Sequence, residues 1–108
     1  MSRSLIILSF LIVACGDSEP EHPAFTLEGD VSNGEAVYAR TCQSCHAADG
    51  TGGDGSDLTE SLPGMSRDEV IEAVLEGIPG TTMVSYRSIL SAQEIADVSA
   101  YIHETWGS

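Results

Sequence analysis

The stretch Cys42-Gln43-Ser44-Cys45-His46 decides the reading of the chain. Two cysteines separated by two residues and followed at once by histidine form C-x-x-C-H, the pattern by which haem c is attached. The spacing has a physical basis. Residues i and i+3 lie on the same side of a helix, so both thiols can meet the two vinyl groups of one porphyrin. His46 can then turn beneath the ring and ligate iron. Thioether bonds hold the porphyrin however tightly the imidazole binds. Two other readings of C-x-x-C have less support. A dithiol redox pair belongs beside a β-α-β pattern, which the chain lacks. A zinc site needs a second Cys or His pair at suitable spacing, and none follows.

Outward from this motif the pattern is helical. Three capping-box signatures, Ser32-x-x-Glu35, Ser66-x-x-Glu69 and Ser91-x-x-Glu94, predict three helix starts. The first helix places Gly34, Tyr38, Cys42 and Cys45 along one stripe. The second should bury Val70, Ile71, Val74 and Leu75 and stop at Gly77. The third should bury Ile95, Val98, Tyr101 and Ile102. Gly34 offers a place for close helix approach, with Tyr101 or Ile102 filling the space. No alternating run reads as a strand. Three short helices give a thin core, and domains of this size often need a covalent or cofactor staple.

The chain has 108 residues, 17 acidic and 4 basic, for a net charge of -13. The basic residues are all arginine. This excludes a binder of nucleic-acid phosphates, which needs clustered Lys and Arg, and argues against docking on anionic lipid. Leu5–Ala14 is an apolar run after Arg3, too short to span a bilayer and suited to an export signal. Its end, Ile12-Val13-Ala14-Cys15, resembles a bacterial lipoprotein signal. That resemblance implies that residues 1–14 are cleaved and that Cys15 becomes the acylated first residue. Residues 15–30 then read as lipid-anchor cysteine and flexible acidic tether, with Pro20 and Pro23. Stretched fully, about 15 residues reach at most roughly 50 Å. His22 is expected to be exposed. Residues 31–108 form the folded domain.

From Ser32 onward the chain resembles a bacterial class I mono-haem cytochrome c. The resemblance lies in Asn33-Gly34-Glu35-Ala36-Val37-Tyr38 before the haem motif, in Ala48-Asp49-Gly50-Thr51-Gly52-Gly53, and in the closing run Ser91–Ile102. It implies a small all-α fold, three main helices wrapped around one covalently attached haem c, with the first and last helices crossing. It also implies a methionine as sixth iron ligand after the second helix. Met83 has that position, and Met65, before the helix, is its competitor. Proline often follows this methionine in the family, whereas here Val84 does. Family members commonly orient the histidine with a carbonyl from a loop proline. No proline lies between His46 and Leu58, so Ser56 or a neighbour must serve. Leu58 is expected to pack on the haem, and Tyr86, Arg87 and Trp106 are candidate propionate contacts. His103 is a conceivable nitrogen ligand on the last helix, expected to be exposed.

His/Met ligation fills both axial positions and raises the reduction potential. The resemblance therefore implies an electron carrier, not an enzyme, tethered outside the cytoplasmic membrane. A ligand-sensing or peroxidatic haem, or a haem-stapled subunit of a larger oxidoreductase, are the alternatives. The acidic surface implies redox partners with basic docking patches.

Overall fold

The computed structural model describes residues 22–53 and 55–107. The elements are a 3-10 turn at Pro23–Phe25, then α1 (Val31–Thr41), α2 (Gln43–His46), α3 (Leu58–Ser61), α4 (Arg67–Glu76), α5 (Ala92–Ile102) and a π-helical turn at His103–Gly107. No strand occurs among the described residues.

Two of the three expected capping boxes form. Ser66 and Ser91 accept from the amides of Glu69 and Glu94, whose carboxylates accept in return from the serine amides. Ser32 does not cap. Asp30 does, its carboxylate accepting from the Asn33 amide at 3.1 Å. The reason is tertiary. The Asp30 amide donates to Asp97, 67 residues away, at 2.7 Å, and this bond fixes the helix start ahead of Ser32.

Helix α1 packs chiefly on α5, and Gly34 marks the crossing. A Cβ on Gly34 would lie 2.0 Å from the Asp97 carbonyl oxygen and 2.8 Å from Tyr101 Cβ. The space is therefore taken by the α5 backbone and Tyr101, not by Ile102. Helix α4 buries Val70, Ile71, Val74 and Leu75, as its periodicity predicts. Gly77 ends it at φ +71, a conformation that favours glycine. Helix α5 buries Ile95, Val98 and Ile102 and, unexpectedly, Asp97 and Ser99.

Asp97 is buried yet fully engaged. Its carboxylate accepts from the Asp30 amide at 2.7 Å, Asn33 Nδ2 at 2.7 Å and Gln93 Nε2 at 2.8 Å. Burial opposes its ionisation, but these three donors outweigh it and hold the carboxyl below its usual range. One side chain thus ties the start of α1 to the middle of α5.

The expected tether is shorter than residues 15–30. Ala24 is fully buried. The Arg67 guanidinium donates to the carbonyls of Ala24, Phe25 and Leu27, the last at 2.7 Å. His22 caps the 3-10 turn, its Nδ1 accepting from the Ala24 amide at 3.1 Å, and is half-buried instead of exposed. Residues 23–30 are thus a strap on the folded unit. The stretch carries no periodicity of its own, so only the distant arginine reveals it. The signal over residues 1–14, Cys15 and residues 16–21 lie outside the described residues.

Because the Asp97 carboxyl titrates lower folded than unfolded, its stabilisation is complete above about pH 4 and lost as pH falls through the depressed folded value. Asp97→Asn presents an amide donor to donors and should cost about 1–3 kcal/mol at pH 7. Urea unfolding at pH 7 and pH 3 should show this cost shrinking with acid. An equal cost at both pH values would deny the ionised network.

Candidate haem site

Helix α1 ends at Thr41, and Cys42 turns the chain at φ −115, ψ −28 while its amide still bonds the Tyr38 carbonyl at 2.9 Å. The next turn, α2, carries Cys45 and His46, and the His46 amide donates to the Cys42 carbonyl at 3.0 Å. The stripe from Gly34 to Cys45 is therefore broken at Cys42. Gly34 and Tyr38 face the core, while both cysteines are half-buried, free thiols on a separate turn. Burial pushes the Cys42 thiol up, against a lowering contact from Thr41.

His46 is aimed by the loop that follows. Its Nδ1 lies 2.9 Å from the Ser56 carbonyl. That carbonyl can only accept, so Nδ1 carries the proton and Nε2 is left with its lone pair. This is the role that the missing proline passes to Ser56. The loop is tied to the motif by Gly52 N–H to His46 O at 3.0 Å and Gly55 N–H to Cys45 O at 2.8 Å. Gly55 must be small, because a Cβ there would lie 2.9 Å from His46 Cε1.

Two adjoining cavities of about 200 and 180 Å³ share Cys42, His46, Ser56, Ile78, Met83 and Tyr86, and so form one crevice. Cys45 lines the first. Leu58, Leu62, Met65, Val70, Val74, Leu90 and Ile102 line the second. Among the described residues, no carboxylate or arginine lines either. Val70 and Val74 of α4 and Ile102 of α5, legible as core in the sequence, thus serve as walls of the crevice.

Met83 reaches the crevice through a loop that closes on itself. The Ile78 amide donates to the Met83 carbonyl at 3.0 Å, and the Tyr86 amide to Val74 at 3.0 Å. Gly77 passes so near that a Cβ would lie 2.7 Å from the Met83 carbonyl oxygen. Met83 lines both lobes together with His46, whereas Met65 lines one. Tyr86 lines both and donates to the Thr41 carbonyl at 3.2 Å. Burial first, then the Cys42 and Cys45 sulfurs, push its phenol up. Arg87 pairs with Glu76 on the surface, Trp106 packs on Tyr38 and Tyr101, and neither they nor His103 line the crevice.

These residues fit a haem. Two thiols one turn apart, an imidazole with its free nitrogen defined and a thioether meet at the wall of an uncharged, largely apolar crevice, which suits a flat apolar macrocycle with a soft-ligated iron. Sequence reasoning missed Gly55, Ile78 and Thr41 as site residues. Only the glycine among them left a signal, as one of several in a single loop.

Residues 29–102 match the family described as cytochrome c oxidase, cbb3-type, subunit III. A cytochrome c55X from Stutzerimonas stutzeri is 46% identical over 61 residues, 56% of this chain and 54% of the relative, so the chain spans about half the length of that protein. Among solved structures, cytochrome c6 from the diatom Phaeodactylum tricornutum superimposes with a TM-score of 0.58 at 29% identity, covering 71% of this chain and 94% of that one. The c-type cytochrome NirC gives 0.57 at 31% identity, covering 68% and 87%. The described helices, the C-x-x-C-H turn and the match over residues 29–102 lead to one assignment: the chain belongs to the cytochrome c family, has the small class I fold and carries haem c as its cofactor.

Proposed function

We propose that this chain carries single electrons between redox proteins outside the cytoplasmic membrane. The observation that carries this reading is the meeting of His46 and Met83 on one crevice wall-set with both thiols. When bound, haem iron supplies a one-electron couple, and imidazole–thioether ligation sets its potential high. The chain's own residues do the rest. Cys42 and Cys45 hold the group covalently. Ser56 keeps the proton on Nδ1 and leaves Nε2 for iron. The Gly77–Met83 loop fixes the thioether. Leu58, Val70, Val74 and Ile102 exclude water, which limits solvent reorganisation on electron transfer.

The surface supports acidic-to-basic docking. Arg40 pairs with Glu94, Arg87 with Glu76, and Arg67 binds strap carbonyls. All three described arginines are thus engaged within the chain. The segment 77–90 contains no carboxylate, and it exposes Ile78, which lines the crevice, and Val84 and Ile89, chain neighbours of the lining residues Met83 and Leu90. This reading gives long-range attraction to the acids and close contact to the carboxylate-free loop, against a partner with an apolar patch rimmed by basic residues.

Lipid on Cys15 would hold the domain near membrane oxidoreductases. With residues 22–30 held as a strap, the six residues 16–21 allow a reach of at most roughly 20 Å. No helix among the described residues is long and apolar enough to cross a membrane. Intact mass of membrane-extracted protein should show an acylated chain starting at Cys15. An unacylated mature chain would remove the anchor from this account.

Optical redox titration of matured holoprotein tests the ligand pair. Met83→Ala should abolish methionine-to-iron absorption and lower the potential, while Met65→Ala should leave both in place. The opposite pattern would give the ligand role to Met65. Ready binding of carbon monoxide by the reduced wild-type protein would favour a ligand-binding haem instead. Electron-transfer rates with a basic redox protein should fall as ionic strength rises. Rates indifferent to salt would remove the electrostatic part.

A further inference from the structure

Among the described residues, Ala47 is the one non-glycine residue with a positive φ, at φ 68 and ψ 160. That region is nearly closed to residues with a Cβ. The surroundings over-determine it. The Ala47 amide donates to Gln43 O at 2.8 Å, and its carbonyl accepts from the Gly50 amide at 3.2 Å. The same carbonyl accepts from the Tyr38 hydroxyl at 2.6 Å.

Tyr38 is a rigid donor. It is 2% exposed, and its ring packs against Tyr101 and Trp106 at centroid distances of 5.5 and 5.3 Å. Burial first, then nearby Cys42, Tyr101 and Asp49, push its phenol up to about 12, so the hydroxyl keeps its proton at physiological pH. Trp106 also backs the far side of the turn. A Cβ on Gly50 would lie 2.6 Å from its indole. The end of α5 and the turn after it are thereby braced against the residue that follows His46.

The strain sits one peptide from the imidazole. Relaxation of Ala47 to an ordinary backbone region would swing the peptide joining it to His46. The ring has little slack with which to absorb this, since Ser56 holds Nδ1 and Gly55 lies against Cε1. We infer that Tyr38 is a positioning residue: its hydroxyl clamps Ala47 in the left-handed region, and the clamped turn fixes the direction of the His46 imidazole.

The inference rests on His46 as the iron ligand. Its test uses matured holoprotein with Tyr38→Phe, Ala47→Gly and the double variant. Phenylalanine keeps the ring stack and removes only the donor. The readouts are the hyperfine-shifted imidazole signals in NMR of the ferric protein and the folding equilibrium in urea. Tyr38→Phe should move the imidazole signals and weaken folding by about tenfold. Ala47→Gly alone should leave the signals in place and not weaken folding, because glycine adopts this conformation without strain. The double variant should regain the wild-type signals and fold more stably than Tyr38→Phe alone, with a larger folding penalty for loss of the hydroxyl than in the Ala47 background, where release of backbone strain offsets part of the lost bond.

Signals that stay put in Tyr38→Phe, signals that Ala47→Gly fails to restore, or strictly additive folding effects would each overturn the clamp. If Tyr38→Phe fails to accumulate as a haem protein, the double variant should restore accumulation, and its failure to do so also counts against the clamp. A haemochrome spectrum of the wild-type sample reports separately on haem attachment, so loss of that reading is distinguishable from loss of this one.

Discussion

Helices α1 and α5 approach so closely that position 34 has no room for a Cβ, and the rest of the fold follows from that contact. The crossing fixes the direction in which α1 delivers Cys42 and the α2 turn. It also places Asp97 where one carboxylate can bind Asp30, Asn33 and Gln93 at once. Buried carboxylates are costly unless fully hydrogen-bonded. Here the cost is offset by three donors, two of them on the segment that opens α1. The same residue therefore supplies the carbonyl that packs on Gly34 and the side chain that sets where the helix begins.

Charge and site are kept apart. None of the acidic side chains among the described residues lines the crevice. A wall without described charges favours a macrocycle whose body is apolar, and in the proposed arrangement His46, Met83 and hydrogen bonds such as His46 to Ser56 would tune the iron. The described arginines serve structure: two make surface ion pairs, and Arg67 stitches the strap to α4. The surface pairs are worth little individually. Arg67 carries more, because it satisfies backbone carbonyls beside the buried Ala24.

What was legible in the sequence was local. C-x-x-C-H, two capping boxes, the apolar face of α4 and its glycine stop each depend on residues within a turn or two of one another. What was hidden depends on partners far along the chain. Asp30 displaced Ser32 as the cap because of Asp97, and residues 23–30 docked because of Arg67. Tyr38 read as a stripe residue, and nothing in its neighbourhood announces that its hydroxyl meets Ala47. Met83 could be placed by resemblance to a family but not by periodicity, because its loop has none; its shape comes from the Ile78–Met83 and Tyr86–Val74 backbone bonds.

The central claim is that one porphyrin is bonded through both thiols of Cys42 and Cys45. Intact-mass spectrometry of the exported, matured protein, denatured and treated with a thiol-alkylating reagent, tests it most directly. The account predicts a polypeptide heavier by one haem, with Cys42 and Cys45 both refusing the reagent. A haem-free mass with both sulfurs alkylated would contradict it.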